Sequence, residues 1–320
     1  MYSTLATVLY KLLTAFLSFS LILSPAAVPA ADDPVVPDGD ASLVAVLWSD
    51  THASDYLYSR NKNIRAAVTD LAAAKGVDAL VIDGDLTENG KLSEYRWLAD
   101  ELSRLNNVPH VLPATGNHDI RLRNFNTTVE TFSSFCETVN PALKLDKLYY
   151  SYVVNGYTFI VLGSTETVFE EAAISDGEFS FLDAALAKGT SDGKPVFVFL
   201  HQPLKNGHGL PDSWGSPLPY AGSVGKDSER LSYILNKYEN VFLITGHLHS
   251  GLGDANFEEV GKVHCLNLPS IGIVSKDGGF EAAGCGYVME VTGSAVTFRA
   301  RDFASGRYMP QLDRTVALVK

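Results

Sequence analysis

Cysteine is scarce in this chain: three in 320 residues, at positions 136, 265 and 285, none beside another at metal-ligand spacing. That excludes zinc-ribbon chemistry. Cys265 and Cys285 remain open between a disulfide, which an exported protein permits, and unpaired core thiols. Basic residues are also under-represented, 25 Lys and Arg against 37 Asp and Glu for a formal net charge of −12. With no basic run or stripe anywhere, nonspecific binding to nucleic-acid backbones or anionic membranes is excluded, and phosphate recognition has to be local and metal-assisted. Internal repeats are absent, and so are low-complexity tracts after the N-terminal region. The chain does have 46% hydrophobic and 19% charged residues, enough for the large core of a soluble globular protein of one or two domains.

Residues 1–30 stand apart. Lys11 is their only charged side chain, residues 12–23 form a short apolar block, and Val28-Pro29-Ala30 offers small residues at a cleavage point. This reads as a secretory signal peptide and predicts an extracytoplasmic protein; an uncleaved anchor is the lesser alternative, because the block is short for a membrane span. No stable membrane partner is expected. Residues 31–40, rich in Pro, Ala and Asp, read as a linker; residues 41–305 as the folded domain; residues 306–320 as a C-terminal tail.

Within that domain, short apolar runs alternate with helical periodicity. Residues 43–48, 79–83, 108–114, 196–200 and 241–245 are strand-like, and residues 61–75, 91–105 and 226–238 carry apolar residues at helical spacing. Ser175 with Glu178 three residues on predicts a capping box opening another helix, and residues 128–139 a further one. Asn155-Gly156 between residues 149–154 and 157–162 is a hairpin signal. Strands are expected again at 262–268, 286–291 and 295–301, the last two as a hairpin. Strand and helix alternating in this way predict an α/β fold with parallel pairing.

Five of the apolar runs end in groups that can bind metal: Asp50-Thr51-His52, Gly84-Asp85, Gly116-Asn117-His118-Asp119, His201, and Gly246-His247-Leu248-His249. Open α/β sheets keep their chemistry at the carboxyl ends of strands. If the strand ends stay extended, Asp50 with His52 and His247 with His249 each project to one side. Singly, each block has an ordinary structural reading as a helix cap, a turn or a core histidine. Together they gather five of the eight histidines after apolar strands, which independent causes would not do. The donors are nitrogen and oxygen only, so Mn, Fe, Zn or Co is expected, as two divalent ions bridged by Asp85.

These blocks, in this order over residues 43–250, resemble the signature of the calcineurin-like metallophosphoesterases. The resemblance implies two mixed β-sheets packed as a sandwich and flanked by helices, with residues 41–305 as the catalytic domain. It places Asp50, His52, Asp85 and His249 on one metal ion, and Asp85, Asn117, His201 and His247 on the other. It assigns His118 to catalysis, facing the scissile phosphate and protonating the leaving oxygen or stabilising charge while a metal-bound hydroxide attacks phosphorus. Purple acid phosphatases have a metal-binding Tyr where this chain has Glu88. Serine/threonine protein phosphatases have Arg and Glu where it has Asn89 and Asp119. The run Gly84 to Gly90 looks more like the class III cyclic-nucleotide and glycerophosphodiester phosphodiesterases.

The expected activity is therefore hydrolysis of a small-molecule phosphodiester, cyclic nucleotide or glycerophosphodiester-like. The alternatives are a nucleotidase or phosphomonoesterase, or a non-catalytic exported binding protein that keeps the metal scaffold. His208, in the long Pro/Gly-rich stretch 203–225, and Arg121 are candidates for substrate contact; for Arg121 a surface ion pair is the competing reading. Trp214 either stacks on substrate or pins its own loop, and His110 and His264 read as structural.

Overall fold

The computed structural model describes residues 33–37, 39–167, 169–209, 222–276 and 279–319. The signal peptide reading and Trp214 lie outside them.

Two mixed sheets carry the architecture. In the first, β1 (Leu43–Trp48), β2 (Ala79–Asp83) and β3 (His110–Ala114) run parallel, and β10 (Cys285–Val291) and β11 (Ala295–Asp302) continue antiparallel from β1. In the second, β4 (Tyr150–Val154) pairs antiparallel with β5 (Tyr157–Val161). From there β5, β6 (Val196–Phe199), β7 (Val241–Thr245) and β9 (Val263–Asn267) run parallel, and β8 (Phe257–Val260) closes the edge antiparallel to β9. The two-sheet α/β fold expected from the resemblance is the one observed.

Period-two alternation decides which side chain serves which core. On β6, Phe197 and Phe199 join Phe159, Phe242 and the first-sheet residues Tyr287 and Phe298 in one core. Val196, Val198 and Leu200 turn the other way, onto Phe179, Leu182 and Leu186 of α5 (Asp176–Gly189) and Leu231 and Leu235 of α6 (Ser228–Leu235). The first sheet is covered by α1 (Tyr58–Ala72) through Ile64, Ala67, Val68 and Leu71, and by α2 (Leu92–Leu102) through Tyr95, Leu98 and Leu102. Leu92, an apolar residue of the expected helical segment 91–105, is 49% exposed at the start of its helix. The hairpin β4–β5 turns at Asn155 and Gly156 with φ of 50° and 79°, the left-handed pair that a two-residue turn of this kind requires.

Several expectations change. The linker is packed down at its end: Val35 is fully buried and its carbonyl accepts from Lys75, while the carbonyl of Asp33 accepts from Arg301. Residues 306–320 are not a free tail, because β12 (Arg307–Tyr308) and β13 (Arg314–Ala317) both pair with β11 and so extend the first sheet. Ser175 caps α5 by accepting from the Glu178 amide, but the Glu178 carboxylate accepts from Gly163 and does not complete the capping box. The three cysteines are buried free thiols, so Cys265 and Cys285 do not pair. Among the described residues no helix is long and apolar enough to cross a membrane.

Candidate metal centre

The ends of β1 and β2 continue side by side beyond the sheet. Asp50 N–H donates to Gly84 O, His52 N–H to Asp85 O and Ala53 N–H to Leu86 O, while the Ser49 hydroxyl donates to Asp83 O and to Asp50 Oδ2. This zipped pair of loops holds Asp50, His52 and Asp85 at φ of 52°, 47° and 44°. His247 and His249, after β7, have φ of 71° and 49°. Left-handed backbone is uncommon outside glycine and persists only where surroundings enforce it, characteristically at functional sites. The extended geometry expected for Asp50-x-His52 and His247-x-His249 is thus corrected: each pair is gathered by two left-handed residues, not by strand alternation.

Two glycines make the gathering possible. Gly84 has φ of 81°, and a Cβ there would stand 2.5 Å from the His201 ring. A Cβ on Gly116 would run into the Asp85 carboxylate. Both motif glycines are needed for close approach more than for a turn.

The result is two donor groups sharing one carboxylate. Asp50, His52, Asp85 and His249 form one, and Asp85, His201 and His247 the other; among the described residues His52, Glu88 and His118 make a third cluster of potential donors, without Asp85. Asp85 Oδ2 lies 3.5 Å from His52 Nε2 and 3.3 Å from His201 Nε2, and His249 Nε2 lies 2.8 Å from Asp50 Oδ1. Asn117 opens α3 (Asn117–Ile120), a short helix directly after β3. Its Oδ1 is buried and makes no hydrogen bond within the protein. Such an atom costs stability unless it has a use, and an amide oxygen one residue before the His118 amide that holds Asp85 suits a divalent ion.

Electrostatics agree. Burial would raise the carboxyls of Asp50 and Asp85, but His201 together with the other imidazoles around them outweighs it and holds both well below the usual range. Burial and then His201 push His247 down to about 3, so its imidazole is neutral and can donate a lone pair. For His201 burial works downward too, yet Asp85 and Asp50 overcome it and raise the imidazole to about 10. The cluster therefore attracts positive charge, which a divalent cation supplies without a proton.

His118 sits at the edge of both groups, 17% exposed. Its backbone N–H donates to Asp85 Oδ1 at 2.8 Å, and its Nδ1 is 2.9 Å from the Glu88 carbonyl, leaving Nε2 4.0 Å from Asp85 Oδ2. Burial, ahead of the opposing pull of Asp85, lowers this imidazole to about 3. Asp119 does structural work: its carboxylate accepts from the amides of Leu86, Thr87 and Gly116, tying the Asp85 loop to α3.

Two acidic residues that sequence reasoning did not place in the site belong here. Glu88 accepts from His52 Nδ1 at 3.0 Å and pairs with Arg60, directing His52 Nε2 inward. Its position, the one where purple acid phosphatases have a metal-binding Tyr, was the available signal. Glu170 arrives from the segment between β5 and α5, with no motif to announce it. It accepts from Asn117 Nδ2 and from Arg121 Nη1, so Arg121 is held in an ion pair beside the site. His208 is not brought to the cluster: its ring meets the Ala255 carbonyl and its amide donates to Glu258.

Comparisons with known proteins point the same way. A curated relative from Vesicomyosocius okutanii, named "Probable cyclic nucleotide phosphodiesterase", is 24% identical over 226 residues, covering 69% of this chain and 83% of its own. Another from Arcobacter nitrofigilis, named "Probable glycerophosphodiester phosphodiesterase", is 28% identical over 176 residues, 54% of this chain and 56% of its own. Among solved structures, a dimetal phosphatase from Danio rerio superposes with a TM-score of 0.63 at 14% identity, covering 88% of this chain and all of that one, a likeness of fold. Residues 45–251, spanning every block of the cluster, match the calcineurin-like phosphoesterase family, and the chain belongs to it.

Proposed function

We propose that this enzyme is a secreted, dinuclear phosphodiesterase acting on a small-molecule diester. Asp85, shared by two donor groups with the buried Asn117 oxygen beside them, carries the dinuclear reading. One ion would be held by Asp50, His52, Asp85 and His249, the other by Asp85, Asn117, His201 and His247. When bound, two such ions supply Lewis acidity toward phosphate oxygens and make water a competent nucleophile at neutral pH.

The residues of the chain do the rest. Asp85 would be shared by the two ions, Glu88 orients His52, and the N-terminus of α3 presents His118 toward the ester. In that position His118 Nε2 hands a proton to the departing alkoxide; the imidazole, lowered to about 3 in the free protein, takes up that proton when the anionic ester binds beside it. The names of the two relatives support a diester. Turnover of bis(p-nitrophenyl) phosphate against p-nitrophenyl phosphate, with Mn, Zn, Co or Fe supplied to chelator-treated protein, tests the reading. Preference for the monoester would favour a nucleotidase or phosphomonoesterase, and two bound ions without turnover would favour a binding protein.

Secretion rests on the pattern of Lys11, an apolar block and Val-Pro-Ala at 28–30. N-terminal sequencing should find a mature protein beginning near Ala31 outside the cytoplasm; a cytoplasmic chain retaining Met1 would refute it.

A further inference from the structure

Asn117 is asked to ligate with a specific end of its amide. Only Oδ1 can coordinate a cation; Nδ2 carries two hydrogens and would repel one. The side chain is fully buried, so water does not choose the orientation. What does choose it is Glu170, whose Oε2 receives Nδ2 at 3.0 Å and lies 4.0 Å from His247 Nε2. An ionised carboxylate is acceptor-only, so the reverse orientation would set Oδ1 against another oxygen.

Glu170 is itself held from two directions. Arg121 Nη1 donates to Oε1 at 2.8 Å, and the Arg121 guanidinium lies over the Phe169 ring, 5.2 Å from its centroid. From below, Gln202 Nε2 donates to the carbonyls of Glu170 and Glu171 at 3.2 and 3.1 Å. Gln202 directly follows His201, so one short segment supplies a member of the second donor group and anchors the loop that orients another.

We propose that Glu170 is the positioning residue for the second metal ion, acting through Asn117, and that Arg121 serves the site by holding Glu170. The inference rests on the dinuclear reading above and adds to it a residue outside the matched motifs. It also gives Arg121 a role distinct from direct phosphate binding. Partners of this kind, one bond removed from the ion, typically change metal affinity 10–100-fold when lost.

The test is Mn2+ titration of the chelator-treated full-length protein by calorimetry, with thermal unfolding of each metal-free variant alongside. Wild type should bind two ions. Glu170→Ala should weaken one of them about 10–100-fold while the other keeps its affinity, and the metal-free melting temperature should stay within a few degrees. Glu170→Gln keeps a single acceptor oxygen, for which Arg121 Nη1 competes with Asn117 Nδ2, and should recover only part of the lost affinity. Asn117→Ala should weaken the same ion, and the double variant should lose less than the two single losses combined, because both act on one bond.

Two wild-type-like Mn2+ affinities in Glu170→Ala would overturn the proposal and leave the dinuclear reading intact. So would an Asn117→Ala/Glu170→Ala double variant whose loss equals the two single losses combined, since the two residues would then act independently. Fewer than two ions on wild type would overturn the dinuclear reading and this inference with it.

Discussion

His118 donates its backbone N–H to Asp85 Oδ1 at 2.8 Å while the other oxygen of that carboxylate faces both His52 and His201. The side chain common to the two donor groups is thus fixed by the main chain of the residue proposed for proton transfer. Asp85→Asn keeps the shape but replaces an anionic oxygen with an amide group. It should lower the affinity of both ions and remove more activity than loss of any ligand serving one ion. Metal analysis after exhaustive dialysis is the check, and two retained ions with near-normal turnover would reject the shared role.

His118→Ala should keep both ions, because its side chain belongs to neither of the two Asp85-containing groups. Turnover should fall by about 10²–10⁴-fold, the usual worth of acid assistance. The loss should grow with the basicity of the leaving alcohol, least for p-nitrophenolate and greatest for a sugar alkoxide. An equal loss across leaving groups would make His118 a stabiliser of phosphoryl charge, and loss of an ion would make it a ligand.

The parts legible in the sequence were those governed by local rules. The strands that end in Asp50, Asp85, His201 and His247 are unbroken apolar runs, and Asn155-Gly156 names its own turn. What was not legible depends on contacts between distant segments. Nothing in Asp50-Thr51-His52 announces left-handed backbone at two non-glycine residues; that conformation is imposed by main-chain bonds to Gly84 and Asp85. Glu170 reaches Asn117 across more than fifty residues from an irregular segment. β13 reads Arg-Thr-Val-Ala with three of four residues exposed, an edge strand with almost no apolar pattern to detect.

Arg301 on β11 and Asp70 on α1 form a buried bidentate pair at 2.7 and 2.8 Å, and Arg301 also donates to the Asp33 carbonyl. Removing one partner strands a charge with no water to solvate it. Asp70→Ala should cost about 3–5 kcal/mol of stability, whereas Asp70→Asn, which keeps an acceptor, should cost less. Denaturant unfolding of the metal-free protein measures both. A loss under about 1 kcal/mol for Asp70→Ala, the range of exposed pairs, would show that water reaches Arg301.

Glu178 offers a pH signature away from the metal centre. It is fully buried in the first turn of α5, where Oε1 accepts from Gly163 and Oε2 makes no hydrogen bond. Burial raises its carboxyl to about 8, against an ordinary value of 4.5. Between those two values the folded protein holds a proton that the unfolded chain has released. Stability from this group is therefore fully present below pH 4.5 and declines as pH rises toward 8, by up to about 1.4 kcal/mol per pH unit. Glu178→Gln stays neutral throughout and can still accept from Gly163. Its melting temperature relative to wild type should climb between pH 5 and pH 8 and level off above. A difference that is flat over this range would mean that the carboxylate is ionised in the folded protein and stabilised by a partner other than Gly163.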